Sequence, residues 1–303
     1  MEIGFLILNI ILAIISAYFL GMLYYGLYRV IVARAHGRWG PPLFQNIIDN
    51  VKLFAKREAV SHGLMFHLGP IIMAAGSVTT ILFIPFFKDS EWLQGFTSQG
   101  NLILITYLMV VGPLGNALAV GVSGVPFGVM GVTRGLTRLI GLETPFYISI
   151  GILMASYNTI SVEEIMHTQD CFANWNMITH PLAFIVSLFS FVGFMGSSPF
   201  DVVGAPPEVA SGPRAEFSGK YLGILLSQRM IFAVAKLVLW VDLFMGGSSN
   251  IIELLWKTFI LFVFQITITI VFPRFKTEQT VDFLWRIPIV IGVISIIYNF
   301  WIK

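Results

Sequence analysis

What most limits how this chain can fold is a set of long, nearly uninterrupted apolar runs. Segments at about 4–28, 64–87, 101–122, 139–160, 181–199, 221–245, 251–272 and 284–302 each approach the roughly 20 residues one helix needs to cross a bilayer core. A transmembrane β-barrel would show short alternating segments instead. The runs therefore predict an all-α integral membrane protein with eight transmembrane helices, built as a single polytopic domain over residues 1–303. Composition agrees: 56% of residues are hydrophobic and 11% charged, against about 25% charged in soluble domains. The first 29 residues lack a basic start and run too long for a signal peptide, so they read as the first spanning helix.

Charge is distributed unevenly between the links. Arg29, Arg34, Arg38, Lys52, Lys56, Arg57, Arg134, Arg138, Arg214, Lys220, Arg229, Arg274, Lys276 and Arg286 fall on one side, fourteen of the eighteen lysines and arginines. Positive charge marks the cytoplasmic face, which predicts a cell-membrane protein with both termini outside. The opposite face carries Asp89, Glu91, Glu163, Glu164 and Asp170. Residues 44–58 form a different element. Phe44, Ile47, Ile48, Val51, Phe54 and Ala55 recur at helical spacing and share one face, while Lys52, Lys56 and Arg57 lie mostly elsewhere. An amphipathic surface helix is expected there, serving either as a membrane anchor or as a docking platform.

Redox chemistry finds little support in this chain. One cysteine, Cys171, can neither close an internal disulfide nor hold an iron–sulfur cluster, which takes about four ligands. The five histidines show no metal-ligand spacing, and His67 and His180 lie near span ends, away from where a haem would sit. No cofactor, metal or nucleic-acid partner is expected. Glycines 112, 115, 121, 124, 128 and 131 read as close helix packing or an irregular connector. Ionisable groups at membrane depth carry more information, because placing charge in lipid costs about 2.5–3.5 kcal/mol even on insertion scales. Glu143 opens the fourth predicted span near Arg134 and Arg138. Lys236 and Asp242 lie inside the sixth, as a structural pair or as part of an ion path. The link SSPFDVVGAPPEVASGPRAEFSG (197–219) adds Asp201, Glu208, Glu216 and Arg214 among four prolines, which stiffen it by fixing φ. Together Glu143 and the loop acids suggest a polar route.

Three motifs carry a family resemblance that extends over nearly the whole chain. PFD followed by Glu208 and the EFSG at 216–219 resembles the cytoplasmic loop of the subunit 1 family (also lettered H) of NADH:quinone oxidoreductase, respiratory complex I. Arg38, Gly40, Pro41, Gln45, Asp49, Lys52 and Lys56 resemble that family's surface helix, and FPRFKTEQTVDFLWR (272–286) its segment before the last span. The resemblance implies a subunit with no redox centre, forming the membrane floor under a peripheral arm. That arm would carry iron–sulfur clusters and a NiFe-hydrogenase-like large subunit, and antiporter-like membrane subunits would lie alongside. It also implies an ion path through Glu143, Asp201, Glu208 and Glu216, with Arg38, Gln45, Asp49, Lys52, Lys56 and Arg274 facing the arm. Gly204, Pro206 and Arg229 stand where quinone-reducing relatives usually carry glutamates, and VASGPRAEFSG is similar to the energy-converting membrane-bound hydrogenases and sulfane-sulfur reductases. The resemblance thus implies a coupling subunit of a ferredoxin-linked complex. A quinone-site subunit and a stand-alone ion transporter are the rival readings, though no internal repeat marks the latter.

Overall fold

The computed structural model describes residues 2–58, 63–88, 90, 92–204 and 212–302. Glu208 and Pro206 fall outside the described residues, as do Asp89 and Glu91. The described chain is all-helical, with a lone bridge between Asn101 and Ser161 as its sole β-type pairing. Its helices are α1 (Glu2–Ala35), α2 (Gln45–Ala55), α3 (Leu64–Phe83), α4 (Leu102–Ser123), α5 (Pro126–Tyr157) and α6 (Val162–His167). They continue with α7 (Asn176–Thr179), α8 (Pro181–Phe194), α9 (Gly219–Phe244), α10 (Ile251–Val271) and α11 (Thr277–Ile302).

Seven of these, α1, α3, α4, α5, α9, α10 and α11, are long and apolar enough to cross a membrane. The eighth predicted span, about 181–199, is a helix of 14 residues in α8. At 1.5 Å per residue it extends about 21 Å, short of a bilayer core of about 30 Å. Non-helical backbone from Met195 to Asp201 takes over where α8 stops.

α5 also differs from expectation. Apolar length starts the fourth span at about residue 139, with a connector before it, yet the helix is continuous from Pro126. Pro126 sits at its first turn, where no backbone donor is lost, and Gly124 makes the turn from α4 at φ 67°. Glu143 is therefore in mid-helix. Helix packing explains the nearby glycines: a Cβ on Gly115 would lie 2.9 Å from the Gly69 carbonyl oxygen, so α3 and α4 cross almost backbone to backbone.

α9 occupies the centre, packed by α1, α2, α3, α8 and α10. Trp240 is fully buried on it, stacked on Phe146 of α5 at 4.6 Å and near Phe191 of α8. A charge buried along this helix is kept from lipid and bulk water and needs polar partners inside the protein, whereas Lys220 in its first turn is exposed. Arg229, Lys236 and Asp242 all lie on it.

Candidate functional site

Contacts among the described residues bring the links after α1, α8 and α10 together, with Gly219 against Arg57 and Phe275 against Pro199. The segment leaving α8 is fastened there by its neighbours. Lys236 Nζ donates to the Phe194 carbonyl at 2.5 Å, Gln265 Nε2 to Ser197 Oγ at 2.6 Å, and Arg138 Nη1 to the Phe200 carbonyl at 3.0 Å. Ser198 Oγ donates to the Phe272 carbonyl at 2.9 Å, and the Phe275 N–H to Pro199 at 2.9 Å. These contacts turn the PFD motif and the FPRF motif into one structural unit. Asp201 meets Arg274 at 3.5 Å.

The far end of the loop returns to α5. A Cβ on Gly131 would lie 2.7 Å from Pro213 Cδ and 3.0 Å from the Val203 oxygen, so only glycine lets both ends of the loop sit on the helix. Gly212 turns there at φ 58°. Behind this docking point lies a cavity of about 200 Å³ between α4, α5, α9 and the loop ends. Arg138, Arg214, Arg229 and Lys236 contribute cations to its wall, and Asp201 a carboxylate. Arg229 also borders two further cavities, one beside Tyr24 and Ser197, the other beneath α2 at Asn46 and Asp49. Its guanidinium lies 5.1 Å from the centre of the Tyr25 ring. Repulsion from Arg229 pulls Arg214 down to about 10, so it remains charged at neutral pH.

α2 lies over the same end, with its polar side turned inward. Arg29 Nη1 donates to Asn46 Oδ1 at 2.9 Å and pairs with Asp49 at 3.2 Å. Asn50 Nδ2 donates to Tyr18 Oη at 2.9 Å and Ser227 Oγ at 3.2 Å. Ile48 and Val51 are exposed on the outer side, part of the face that the spacing picks out. Burial raises Asp49, but bonds from Gln45 and Arg29 outweigh it and hold the carboxyl below its usual range. Arg38, Lys52 and Lys56 are exposed nearby.

The predicted acids are not all brought together. Asp201 lines the cavity and Glu216 is half-buried in the returning loop. Glu143 instead shares a hydrogen bond with Tyr147, near the exposed Tyr107, on the flank of the bundle. Arg134 is one turn before Arg138 on α5 and lies outside the cavity wall. Asp242 is fully buried toward the opposite end, both oxygens without a hydrogen-bond partner.

Two buried polar centres near Asp242 were missed by sequence reasoning. Lys257 is 1% exposed, donates to Met245 at 2.7 Å and Gly247 at 2.6 Å, pairs with Glu253 at 2.6 Å, and lies 4.4 Å from the Trp175 ring centre. Gln169 bonds the Asp242 carbonyl and the N–H groups of Asn176 and Gly246. The signal for Lys257 was present: Glu253 precedes it by four residues at the start of an apolar run. Gln169 carried none. Trp175 is thus part of a cation site, whereas Cys171 is exposed.

This architecture defines a membrane-embedded, multi-pass helical protein with a polar chamber bordered by the two described ends of the 197–219 link. The NADH dehydrogenase family profile matches residues 8–300, and the chain belongs to that family of complex-I-like membrane subunits. It is 31% identical over 224 residues to hydrogenase-4 component C of Escherichia coli strain K12, covering 73% of this chain and 70% of that one. It is 25% identical to the H subunit of NADH-quinone oxidoreductase from Bacillus cytotoxicus over 307 residues, 94% of this chain and 90% of the relative. A chain in the solved structure of the membrane-bound sulfane sulfur reductase, an archaeal respiratory membrane complex, superposes with a TM-score of 0.92 at 32% identity. That match covers 97% of this chain and 99% of the other.

Proposed function

We propose that the chain anchors the peripheral arm of a ferredoxin-linked, complex-I-related oxidoreductase and couples electron transfer there to movement of protons or sodium ions. The basic cavity carries this reading. Its described wall holds four cations and one carboxylate, a setting that suits charge movement better than a neutral quinone ring. The likeness to the sulfane sulfur reductase chain over almost its full length supports the same class. Arg38, Gln45, Asp49, Lys52, Lys56 and Arg274 would face an arm carrying iron–sulfur clusters and a NiFe-hydrogenase-like subunit. Asp201, Glu208 and Glu216 would take up the first ion, with Arg134, Arg138, Arg214 and Arg229 setting their proton affinity. Lys236 and Asp242 would extend the path along α9. Glu143 would hand the ion to an antiporter-like neighbour, a role supported by its place on the bundle flank.

In this reading the chain is one polytopic domain in the cell membrane with both termini outside. α8 and the backbone after it complete an eighth crossing, and α2 lies along the inner surface. The test is the complex in proteoliposomes. Glu143→Gln and Glu208→Gln should keep electron transfer and lose redox-driven ion pumping; full pumping in both would sink the reading. Quinone analogues and quinone-site inhibitors should leave turnover unchanged.

A further inference from the structure

We propose that the cavity between α4, α5, α9 and the loop ends is a binding site for an oxyanion of the phosphate or carboxylate type. Its excess of positive charge is built from three separate elements. Arg138 comes from α5, Arg229 and Lys236 from α9, and Arg214 from the loop where it returns to α5. Asp201, the one carboxylate in the described wall, is already shared with Arg274, which lies outside the cavity. Among the described residues, none of the three guanidiniums has a carboxylate within salt-bridge distance.

Local partners satisfy these cations only in part. Arg138 spends Nη1 on the Phe200 carbonyl and leaves Nε buried without a partner. Arg229 rests over the Tyr25 ring and shares a hydrogen bond with that side chain, a neutral partner in place of a carboxylate. Cations held this close repel one another, as the lowered pKa of Arg214 reflects. A converging set of guanidinium forks is the arrangement that binds planar or tetrahedral oxyanions through paired hydrogen bonds. An anion seated among them would offset the repulsion among these described cations.

The cavity volume of about 200 Å³ exceeds the share of one water, about 30 Å³, several times over, which leaves room for a phosphate group and its waters. Part of the wall is apolar, with Met73, Met109, Leu225 and Phe232 among its residues. The same phosphate chemistry could therefore arrive as a free anion or as the headgroup of a phospholipid whose glycerol end rests on that wall. This charge excess is that of the described wall, and its arginines are ones the proposed coupling role also uses; phosphate binding is read without turnover, so its failure is distinct from a failure of ion pumping.

The experiment uses the whole complex purified in detergent from its native membrane. Equilibrium dialysis with radiolabelled inorganic phosphate reads the free anion, and mass spectrometry of extracted lipid reads retained phospholipid. Wild type should bind phosphate saturably or retain about one phospholipid per complex that survives delipidation. Arg229→Gln and Arg138→Gln should weaken phosphate binding at least tenfold or lose the lipid. Arg286→Gln, which removes an exposed side chain paired with Asp282, should change neither. Phosphate binding without retained lipid assigns a free anion, and the converse assigns a headgroup. Arg229→Lys keeps the charge but loses the fork, so it should weaken binding less than Arg229→Gln, and it serves where the glutamine variant does not assemble. Wild-type complex that binds neither species, or variants that bind as well as wild type, would overturn the proposal.

Discussion

Lys257 shows what a single buried charge does in this molecule. Its ammonium satisfies two backbone carbonyls at the turn after α9 and neutralises Glu253. Lys257→Met would leave all three acceptors short of a donor, at a cost of about 3–5 kcal/mol for breaking a buried pair. The expected result is a clear drop in the melting temperature of the purified complex, whereas Lys276→Met, at an exposed position, should change nothing. Asp49 provides the pH-dependent counterpart. Its native pKa lies below the unfolded value, so its contribution is complete above the ordinary carboxylate range and is lost as pH falls through the lowered native value. Amide exchange of α2 should therefore accelerate on acidification below that range, and Asp49→Asn should flatten the response. The pair is partly exposed, so the effect should stay within about 1 kcal/mol. Charges in apolar runs were legible in the sequence. What each one touches was not, because Lys236 ends on the Phe194 carbonyl, 42 residues away along the chain.

Among the elements, α2 and α5 depart most usefully from their sequence patterns. Spacing predicts an apolar face on α2, but amphipathicity does not say which face the protein keeps. Here three polar contacts from Asn46 and Asn50 hold the helix to α1 and α9, which leaves Ile48 and Val51 outward for lipid or a partner while the Phe54 ring lies against α9 at Gly223. α5 runs through its glycine-rich start because those glycines serve packing. Gly131→Ala would press a methyl against Pro213 and Val203, costing about 1–3 kcal/mol by overpacking. Limited proteolysis of the 197–219 loop should speed up in that variant. Gly121→Ala should behave like wild type, since nothing lies within 4 Å of the added carbon.

At the scale of the whole molecule, the single native cysteine allows a direct test of orientation. Cys171 is exposed in the link between α6 and α7, on the side expected to face outward. A membrane-impermeant thiol reagent should label it in intact cells and leave it unlabelled in sealed inside-out vesicles; the reverse pattern would invert the topology. By itself the sequence determined the helical membrane class, the approximate positions of the spans and the family. Apolar length, positive-charge bias and contiguous motifs are local properties that the linear chain displays. The tertiary structure alone decided that the PFD and FPRF motifs fasten to each other, that Glu143 faces the flank while Asp201 faces the chamber, and that cations from three elements converge on one cavity. Those outcomes depend on which helices pack around α9 and how deeply they bury it, and burial is what turns a scattered arginine or lysine into part of a site.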